Sequence, residues 1–167
     1  TGIAHGTITA VADGHGIEIT TLRADVDTDG RRAVVAFTGD IAMDAARRDF
    51  TMNALYADPE GRVIDPLGGL RDLVARRVRF IGVAEDRIRE DYLRILRFFR
   101  FHAWYGDPGG GIDADGLAAC AALADAIERL SRERVGAEMK KLLSAPDPAP
   151  AVASMAASGV LLHVAPG

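Results

Sequence analysis

The sequence predicts an α+β fold, with a small β-sheet in the first third of the chain and helices in the remainder. Apolar and polar residues alternate in the manner of strands in residues 7–12 and 17–22, and residues 33–37 form a short apolar run that also predicts a strand. Beyond Gly69 the apolar residues recur with a helical period almost to the end of the chain. With 167 residues, of which 49% are hydrophobic, the chain can bury a sizeable core, as one compact domain or as two small ones.

The connections between these segments carry turn and capping signals. Residues 25–32 are charged and rich in Asp, which predicts a mobile hairpin loop before the third strand. Asp40 is a candidate N-cap of a helix, residues 53–57 predict a return to strand, and turns are expected at 58–61 and 65–69. After these turns we expect five helices, over residues 70–76, 85–104, 113–130, 132–143 and 149–158.

The composition excludes several classes of protein. No apolar stretch approaches the roughly 20 residues that a membrane-spanning helix needs, and the single cysteine, Cys120, excludes a disulfide framework. We therefore expect a cytoplasmic protein without a membrane partner, in which Cys120 is buried. The net charge of −4 does not favour a wholly basic nucleic-acid-binding domain. Eight arginines nevertheless lie between residues 76 and 100, and such clustering favours a local anion site.

The first segment that carries chemistry is Arg47-Arg48-Asp49, with Asn53 shortly after it. A guanidinium offers a planar fork of donors that suits phosphate oxygens, and a carboxylate accepts hydrogen bonds from ribose hydroxyls. The segment is therefore a candidate nucleotide contact. The alternative interpretation is a surface salt bridge at the end of a helix.

A second charged group lies in the helix predicted over residues 85–104. Its members recur every three residues and share one gently drifting helix face; they are Asp91, Arg94, Arg97 and Arg100. One carboxylate and three guanidiniums at fixed spacing can hydrogen-bond the edge of a base and hold phosphates. The alternative is a solvated, salt-bridged helix face.

Together these segments resemble the class II tRNA nucleotidyltransferase family, which contains the CCA-adding enzymes and the related bacterial poly(A) polymerases. The matching segments occur in family order and span essentially the whole chain: residues 1–7, 20–25, 30–33, 47–55, 65–73, 90–94 and 131–138. Because several spaced motifs match together, the resemblance is more specific than any one of them.

The resemblance implies a fold and a division into domains. We expect the C-terminal part of a polymerase-β-like nucleotidyltransferase sheet, followed by an all-helical neck and body. On this basis residues 1–66 form a partial head domain, residues 67–145 form a neck that binds RNA and nucleotide, and residues 146–167 begin the body.

The resemblance also implies roles for individual residues. Asp91 and Arg94 match the motif that hydrogen-bonds the incoming base: the carboxylate can accept from the exocyclic amine of cytosine or adenine, and the guanidinium can donate. Asp72 matches a motif of interdomain movement, while Glu133 and Arg134 match a helix that supports the neck. The expected nucleotide-binding residues are Arg47, Arg48, Asp49, Asn53, Asp91, Arg94, Arg97 and Arg100.

The implied reaction is the template-independent addition of CMP and AMP, from CTP and ATP, to the 3′ end of tRNA with release of pyrophosphate. Two alternatives stay open: a poly(A) polymerase of the same family, and a non-catalytic module that binds nucleotide or RNA. The sequence leaves the oligomeric state open.

In this family a glycine-rich loop and an Asp-x-Asp pair precede the segment that matches Thr1. We therefore expect no catalytic and no metal-binding residues in this chain, Mg²⁺ bound by residues outside it, and no polymerising activity of the chain alone. Asp25-Val26-Asp27 has the Asp-x-Asp sequence pattern of such a pair, but a mobile hairpin lacks the rigid support that a metal site needs. The histidines are scattered, without the spacing of metal ligands.

Overall fold

The computed structural model describes residues 6–26 and 34–164. The chain forms two compact units, Thr1–Arg48 and Asp49–Gly167. Strands dominate the described part of the first unit, and helices dominate the second, which confirms the predicted α+β class. The predicted division at residues 66 and 145 concerns functional domains and stays a prediction.

The first unit contains two antiparallel hairpins and one short helix. Strands β1 (Thr7–Ala12) and β2 (His15–Thr20) are joined by two residues whose φ angles are positive, Asp13 at 51° and Gly14 at 77°. Positive φ at both positions of a two-residue turn matches the right-handed twist of the paired strands. Strands β3 (Arg23–Val26) and β4 (Val34–Phe37) form the second hairpin.

The predicted loop begins later than the sequence indicated. Asp25 and Val26 pair with Val35 and Val34 and therefore belong to β3, because cross-strand pairing outweighs the low strand propensity of aspartate. The remaining residues of the predicted mobile loop lie outside the described residues.

Helix α1 (Ile41–Ala46) begins where the sequence predicts. The carboxylate of Asp40 accepts a hydrogen bond from the backbone N–H of Ala42 at 2.8 Å, so the predicted N-cap is confirmed. Asp44 on this helix is buried and accepts from the backbone N–H of Arg23 at 2.9 Å, which ties the helix to β3.

The second unit begins with short elements and continues with helices. A single antiparallel bridge joins Phe50 to Phe80. The short elements are a 3₁₀ turn (Thr51–Asn53), the hairpin β5 (Tyr56–Ala57) and β6 (Val63–Ile64), and α2 (Leu70–Val74). The helices that follow are α3 (Ala84–Glu90), α4 (Leu93–Tyr105), α5 (Ala114–Ala122), a 3₁₀ helix (Ala124–Arg129), α6 (Arg132–Leu143), α7 (Ala149–Ala157) and α8 (Val160–Val164).

Three predicted elements of this unit are corrected. The helix expected over 85–104 is interrupted, because Asp91 adopts an extended conformation (φ −155°, ψ 107°) between α3 and α4. The helix expected over 113–130 ends at Ala122 and continues as a 3₁₀ helix. The strand expected over 53–57 is reduced to Tyr56–Ala57, since Asn53 completes the preceding 3₁₀ turn.

Helix α4 lies at the centre of the core of the second unit. Ile95, Leu96, Phe98 and Phe99 are fully buried on it and pack with Phe50 and other aromatic rings. Each such side chain contributes roughly 1.5–3 kcal/mol by leaving water. Burial of these positions fixes the helix rotation and so leaves the arginines at 94, 97 and 100 only partly buried.

Two further expectations concern the burial of Cys120 and membrane-spanning helices. Cys120 on α5 is fully buried, as predicted. Within residues 6–26 and 34–164, no helix combines the length and the apolar composition needed to cross a membrane.

Candidate functional site

The arginines of α4 each contact a carboxylate from a different segment of the second unit. Arg94 contacts Glu90 of α3 through Nη1 at 2.5 Å, Arg97 contacts Asp49 through Nε at 2.5 Å, and Arg100 contacts Glu138 of α6 through Nε at 2.6 Å. The predicted face of positive charge is therefore present, and tertiary contacts position its guanidiniums.

Asp91 does not lie on that helix face, contrary to expectation. It precedes α4, where its Oδ1 accepts a hydrogen bond from the backbone N–H of Leu93 at 3.1 Å. Nη2 of Arg134 donates to both carboxylate oxygens of Asp91, at 3.1 and 2.8 Å. An aspartate that bonds the backbone two residues ahead favours a turn over a helix interior, which explains the break between α3 and α4.

Arg94 reaches back from α4 to the end of α3. Its Nη1 donates to the backbone carbonyl of Arg87 at 2.9 Å as well as to Glu90. The backbone N–H of Arg94 also donates to the carbonyl of Asp91 at 3.0 Å. The two residues expected to hydrogen-bond a base thus flank one junction, and helix contacts orient the guanidinium of Arg94.

Asp49 is a buried carboxylate with several donors. Its Oδ2 accepts from Arg97, and its Oδ1 accepts from Nδ2 of Asn53 at 2.7 Å and from the backbone N–H of Phe50 at 3.2 Å. Burial acts to raise the pKa of Asp49, but the hydrogen bonds and the charge of Arg97 outweigh it and hold this pKa below its ordinary value. The carboxylate is therefore ionised at neutral pH.

Arg47 and Arg48 lie in the first unit, at the end of α1. Both contact Asp44: Nε of Arg47 lies 3.9 Å from Oδ1, and Nη2 of Arg48 lies 3.1 Å from Oδ2. The salt bridge at a helix end that the sequence offered as an alternative is thus present. It does not exclude phosphate contacts, and the nucleotide-binding role of these two arginines stays a prediction.

Asp72, expected to act in interdomain movement, is buried on α2. Oγ1 of Thr51 donates to its Oδ2 at 2.6 Å, and Nη2 of Arg79 donates to the same oxygen at 2.9 Å. Asp72 therefore joins α2 to the 3₁₀ turn and to the segment before Phe80. Its role in movement stays a prediction, as does the supporting role of Glu133 and Arg134, although Arg134 does join α6 to the α3–α4 junction.

Glu138 is a structural partner of the site; it lies in the matching segment 131–138, but the sequence predicted no role for it. It is buried, accepts from Arg100, and also accepts from Nζ of Lys141 at 3.1 Å. The signal was available in the helical period of α6, where Glu138 occupies an inward position between Val135 and Leu142. A charged residue at an apolar position of a helix indicates a buried partner.

A metal site is not formed by the described residues. Residues 6–26 and 34–164 contain no group of three or more His, Cys, Asp or Glu side chains that could hold an ion. Asp25 lies in β3, and Asp27 lies outside the described part of the chain. The donor set that is described therefore does not fit a metal centre.

The fold and the site define a class: an α+β protein with a strand-rich unit and a helical unit in which the arginines of α4 pair with carboxylates from neighbouring segments. Residues 1–79 match the family model described as the poly A polymerase head domain. Residues 111–167 match the model described as a probable RNA and SrmB-binding site of polymerase A.

Named relatives agree with these matches. The chain is 48% identical over 142 residues to the mitochondrial CCA tRNA nucleotidyltransferase 1 of Homo sapiens, covering 85% of this chain and 33% of the relative. It is 38% identical over 165 residues to the CCA-adding enzyme of Geobacillus thermodenitrificans (strain NG80-2), covering 98% of this chain and 40% of the relative. The chain thus spans between a third and two fifths of the length of these relatives.

Solved structures give the same result. The crystal structure of the Bacillus stearothermophilus CCA-adding enzyme in complex with CTP matches with a TM-score of 0.82 at 38% identity, covering 94% of this chain and 37% of that one. The chain belongs to the family of CCA-adding enzymes and poly(A) polymerases.

Proposed function

We propose that this chain belongs to a template-independent RNA nucleotidyltransferase that adds CMP and AMP, from CTP and ATP, to the 3′ end of tRNA and releases pyrophosphate. The observation that carries the proposal is the junction between α3 and α4, where Asp91 and Arg94 are held at either side of one turn. The CTP complex of the relative from Bacillus stearothermophilus supports it.

The chemistry of the junction suits the bases that CTP and ATP share. A carboxylate only accepts hydrogen bonds and a guanidinium only donates them. Cytosine and adenine each place an exocyclic amine beside a ring nitrogen, so the amine can donate to Asp91 while the ring nitrogen accepts from Arg94. Uracil and guanine present a carbonyl where the amine would be, which leaves the carboxylate facing another acceptor.

Internal contacts preorganise this pair. Arg134 holds the charged carboxylate of Asp91, whose side chain remains 36% exposed and keeps lone pairs for a ligand. Glu90 and the carbonyl of Arg87 fix the guanidinium of Arg94. Side chains that are already ordered lose less entropy when a ligand binds. We infer that the junction selects the base while Arg134 acts as a positioning residue.

The remaining arginines of α4 supply positive charge near the junction. Arg97 is 30% exposed and is anchored by the ionised Asp49, so it can present donors to phosphate or sugar oxygens. Arg100 is more buried and is held by Glu138. It would therefore contribute to the electrostatic potential at the site without contacting the ligand directly. Asn53 orients Asp49 from the other side.

For the whole protein, the proposal also includes a divalent metal ion, the tRNA substrate and a cell compartment. Nucleotidyl transfer by this family uses a divalent ion, which we propose is Mg²⁺ bound by residues outside this chain; it would activate the 3′-hydroxyl and stabilise pyrophosphate. The described residues contribute base selection and charge. A cytoplasmic location remains a proposal, since the human relative is named as mitochondrial.

Calorimetric titration with CTP, ATP, UTP and GTP tests the proposal. The variants are Asp91→Ala/Arg94→Ala and, as a matched control, Glu85→Ala/Arg89→Ala, which removes an exposed ion pair of α3. We expect the chain and the control to prefer CTP and ATP by about 5–150-fold, equivalent to the roughly 1–3 kcal/mol of one good base contact. The junction variant should bind all four nucleotides alike.

Other results would point elsewhere. Preference for ATP over CTP would favour a poly(A) polymerase, and equal affinity of the folded chain for all four nucleotides would contradict base selection by Asp91 and Arg94. Circular dichroism of each variant establishes that it is folded before the titration.

A further inference from the structure

Both lysines of the chain and its only tryptophan meet on one surface. An open groove of about 380 Å³ lies where the C-terminal ends of α4 and α6 come together. Its lining residues are Arg100, Trp104, Tyr105, Lys140, Lys141 and Ser144, and we name this set the basic–aromatic groove. None of the sequence motifs that resemble the family includes Trp104, Tyr105 or the lysines.

The aromatic side of the groove is held in place. Nε1 of Trp104 donates to the backbone carbonyl of Lys141 at 2.7 Å, which satisfies one of the carbonyls that the end of α6 leaves without a helical partner. The indole is 40% exposed, and the adjacent Tyr105 is 47% exposed. The ring of Tyr105 lies 5.4 Å from that of Phe101, which limits its movement. Two oriented aromatic side chains therefore face solvent.

The charged side of the groove is positive. Arg100, Lys140 and Lys141 carry three positive charges, and buried Glu138, which bonds Arg100 and Lys141, carries one negative charge. Lys140 is exposed. Lysines in the last turn of a helix also stabilise the helix dipole, but that effect does not require an exposed tryptophan beside them. The whole chain carries a net charge of −4, so the groove is a local patch of positive charge on a negatively charged protein.

We propose that the basic–aromatic groove binds a single strand of RNA. Exposed aromatic faces stack on bases without regard to sequence, and lysines beside them neutralise phosphates. An acidic protein segment would use the lysines but would gain little from two exposed aromatic faces. The choice of RNA over single-stranded DNA rests on the proposed function. The groove shares Arg100 with the expected nucleotide-binding set, but neither Asp91 nor Arg94 lines it, so it would hold a part of the RNA other than the base that this pair selects.

Trp104 gives a direct readout, because it is the only tryptophan. The probe is a single-stranded RNA of mixed sequence and about 12 nucleotides, within the usual site sizes for such surfaces. It is titrated unlabelled against tryptophan emission and, with a fluorescein label, by anisotropy. We expect both signals to saturate at the same RNA concentration, with the emission quenched by the stacked base.

Matched variants separate stacking and charge. Trp104→Leu should weaken binding about tenfold, while Trp104→Phe, which keeps an aromatic face, should stay close to the parent chain. Lys140→Ala/Lys141→Ala should reduce the slope of log affinity against log salt by about 1.4, from about 0.7 per phosphate. The control Arg62→Ala/Arg89→Ala removes the same charge from exposed ion pairs outside the groove. Lys140→Ala alone leaves the Glu138 contacts intact and should show about half of that change in slope.

Several results would overturn the proposal. Binding seen by anisotropy without any change in Trp104 emission would place the RNA elsewhere. A lysine variant that loses no more affinity than its charge-matched control would remove the basis for a specific groove, and equal competition by poly-glutamate of the same charge would indicate a protein partner. Selection of CTP and ATP by the same chain would still support the proposed function in each of these cases.

Discussion

The Asp49–Arg97 ion pair allows a quantitative test of how the second unit is held together. In Asp49→Ala, Arg97 would lose its carboxylate partner, and Asn53 would lose the acceptor of its amide group. Asp49 is buried, whereas Arg97 is 30% exposed. The perturbation therefore leaves one partly buried positive charge and removes one acceptor from Asn53.

The expected loss of stability follows from how deeply the two side chains are buried. Breaking a buried ion pair by removing one partner costs about 3–5 kcal/mol. Water can reach part of the Arg97 guanidinium and compensates for some of this loss. We therefore expect Asp49→Ala to lower the free energy of unfolding by about 2–4 kcal/mol. Asp49→Asn, which keeps an acceptor for Asn53, should lose less.

Urea unfolding followed by Trp104 emission measures this change, because the tryptophan lies on α4 in the same unit. The pH dependence gives a second readout. The pKa of folded Asp49 lies below the value of about 3.9 for an unfolded aspartate. Its contribution is therefore complete above about pH 4 and is lost as the pH falls through the folded pKa. The difference between the parent chain and Asp49→Asn should shrink over that acidic range.

The matched control is Glu60→Ala, which removes an exposed carboxylate that contacts Arg62. It should leave the free energy of unfolding unchanged within error. The reasoning would be refuted if Asp49→Ala behaved like this control, or if the parent chain and Asp49→Asn differed by the same amount at pH 3 and pH 7.

Two further predictions concern packing. Gly69→Ala should destabilise the second unit by about 3 kcal/mol, because a Cβ at Gly69 would lie 2.0 Å from the backbone oxygen of Thr51. Gly136→Ala, within α6 and in open space, should stabilise the unit by about 0.5–1 kcal/mol. Urea unfolding measures both changes, and the same sign for both would contradict the geometry. The thiol of Cys120 should react with Ellman's reagent only after unfolding, since burial raises its pKa above the usual range; rapid modification of the folded chain would show that α5 opens.

Local signals predicted most of the elements. Asp40, which was predicted as an N-cap, bonds a backbone N–H two residues ahead. Asp113 and Ser131 were not predicted as caps, although their side chains bond backbone N–H groups only three residues ahead. The interruption at Asp91 was missed because the apolar period continues across it. The same aspartate that suits a helix face by spacing also suits a turn by hydrogen bonding, and periodicity alone does not separate the two.

The candidate site was predicted by residue type more completely than by arrangement. The resemblance to known motifs selected Asp91, Arg94 and Arg97, which the structure places at or near one junction. It did not indicate that Arg134 contacts Asp91 or that Glu138 holds Arg100. The basic–aromatic groove was not indicated either, because its members come from two helices and, apart from Arg100, match no motif.

The sequence by itself determined the fold class, the family, the order of the elements and the charged residues available for binding. Only the tertiary structure decided which charges meet, because the partners are 48 residues apart for Asp49 and Arg97 and 43 apart for Asp91 and Arg134. Helical spacing specifies neighbours three or four residues away. Contacts over longer separations depend on how burial of the phenylalanines of α4 sets the rotation of that helix against α6 and the Asp49 segment.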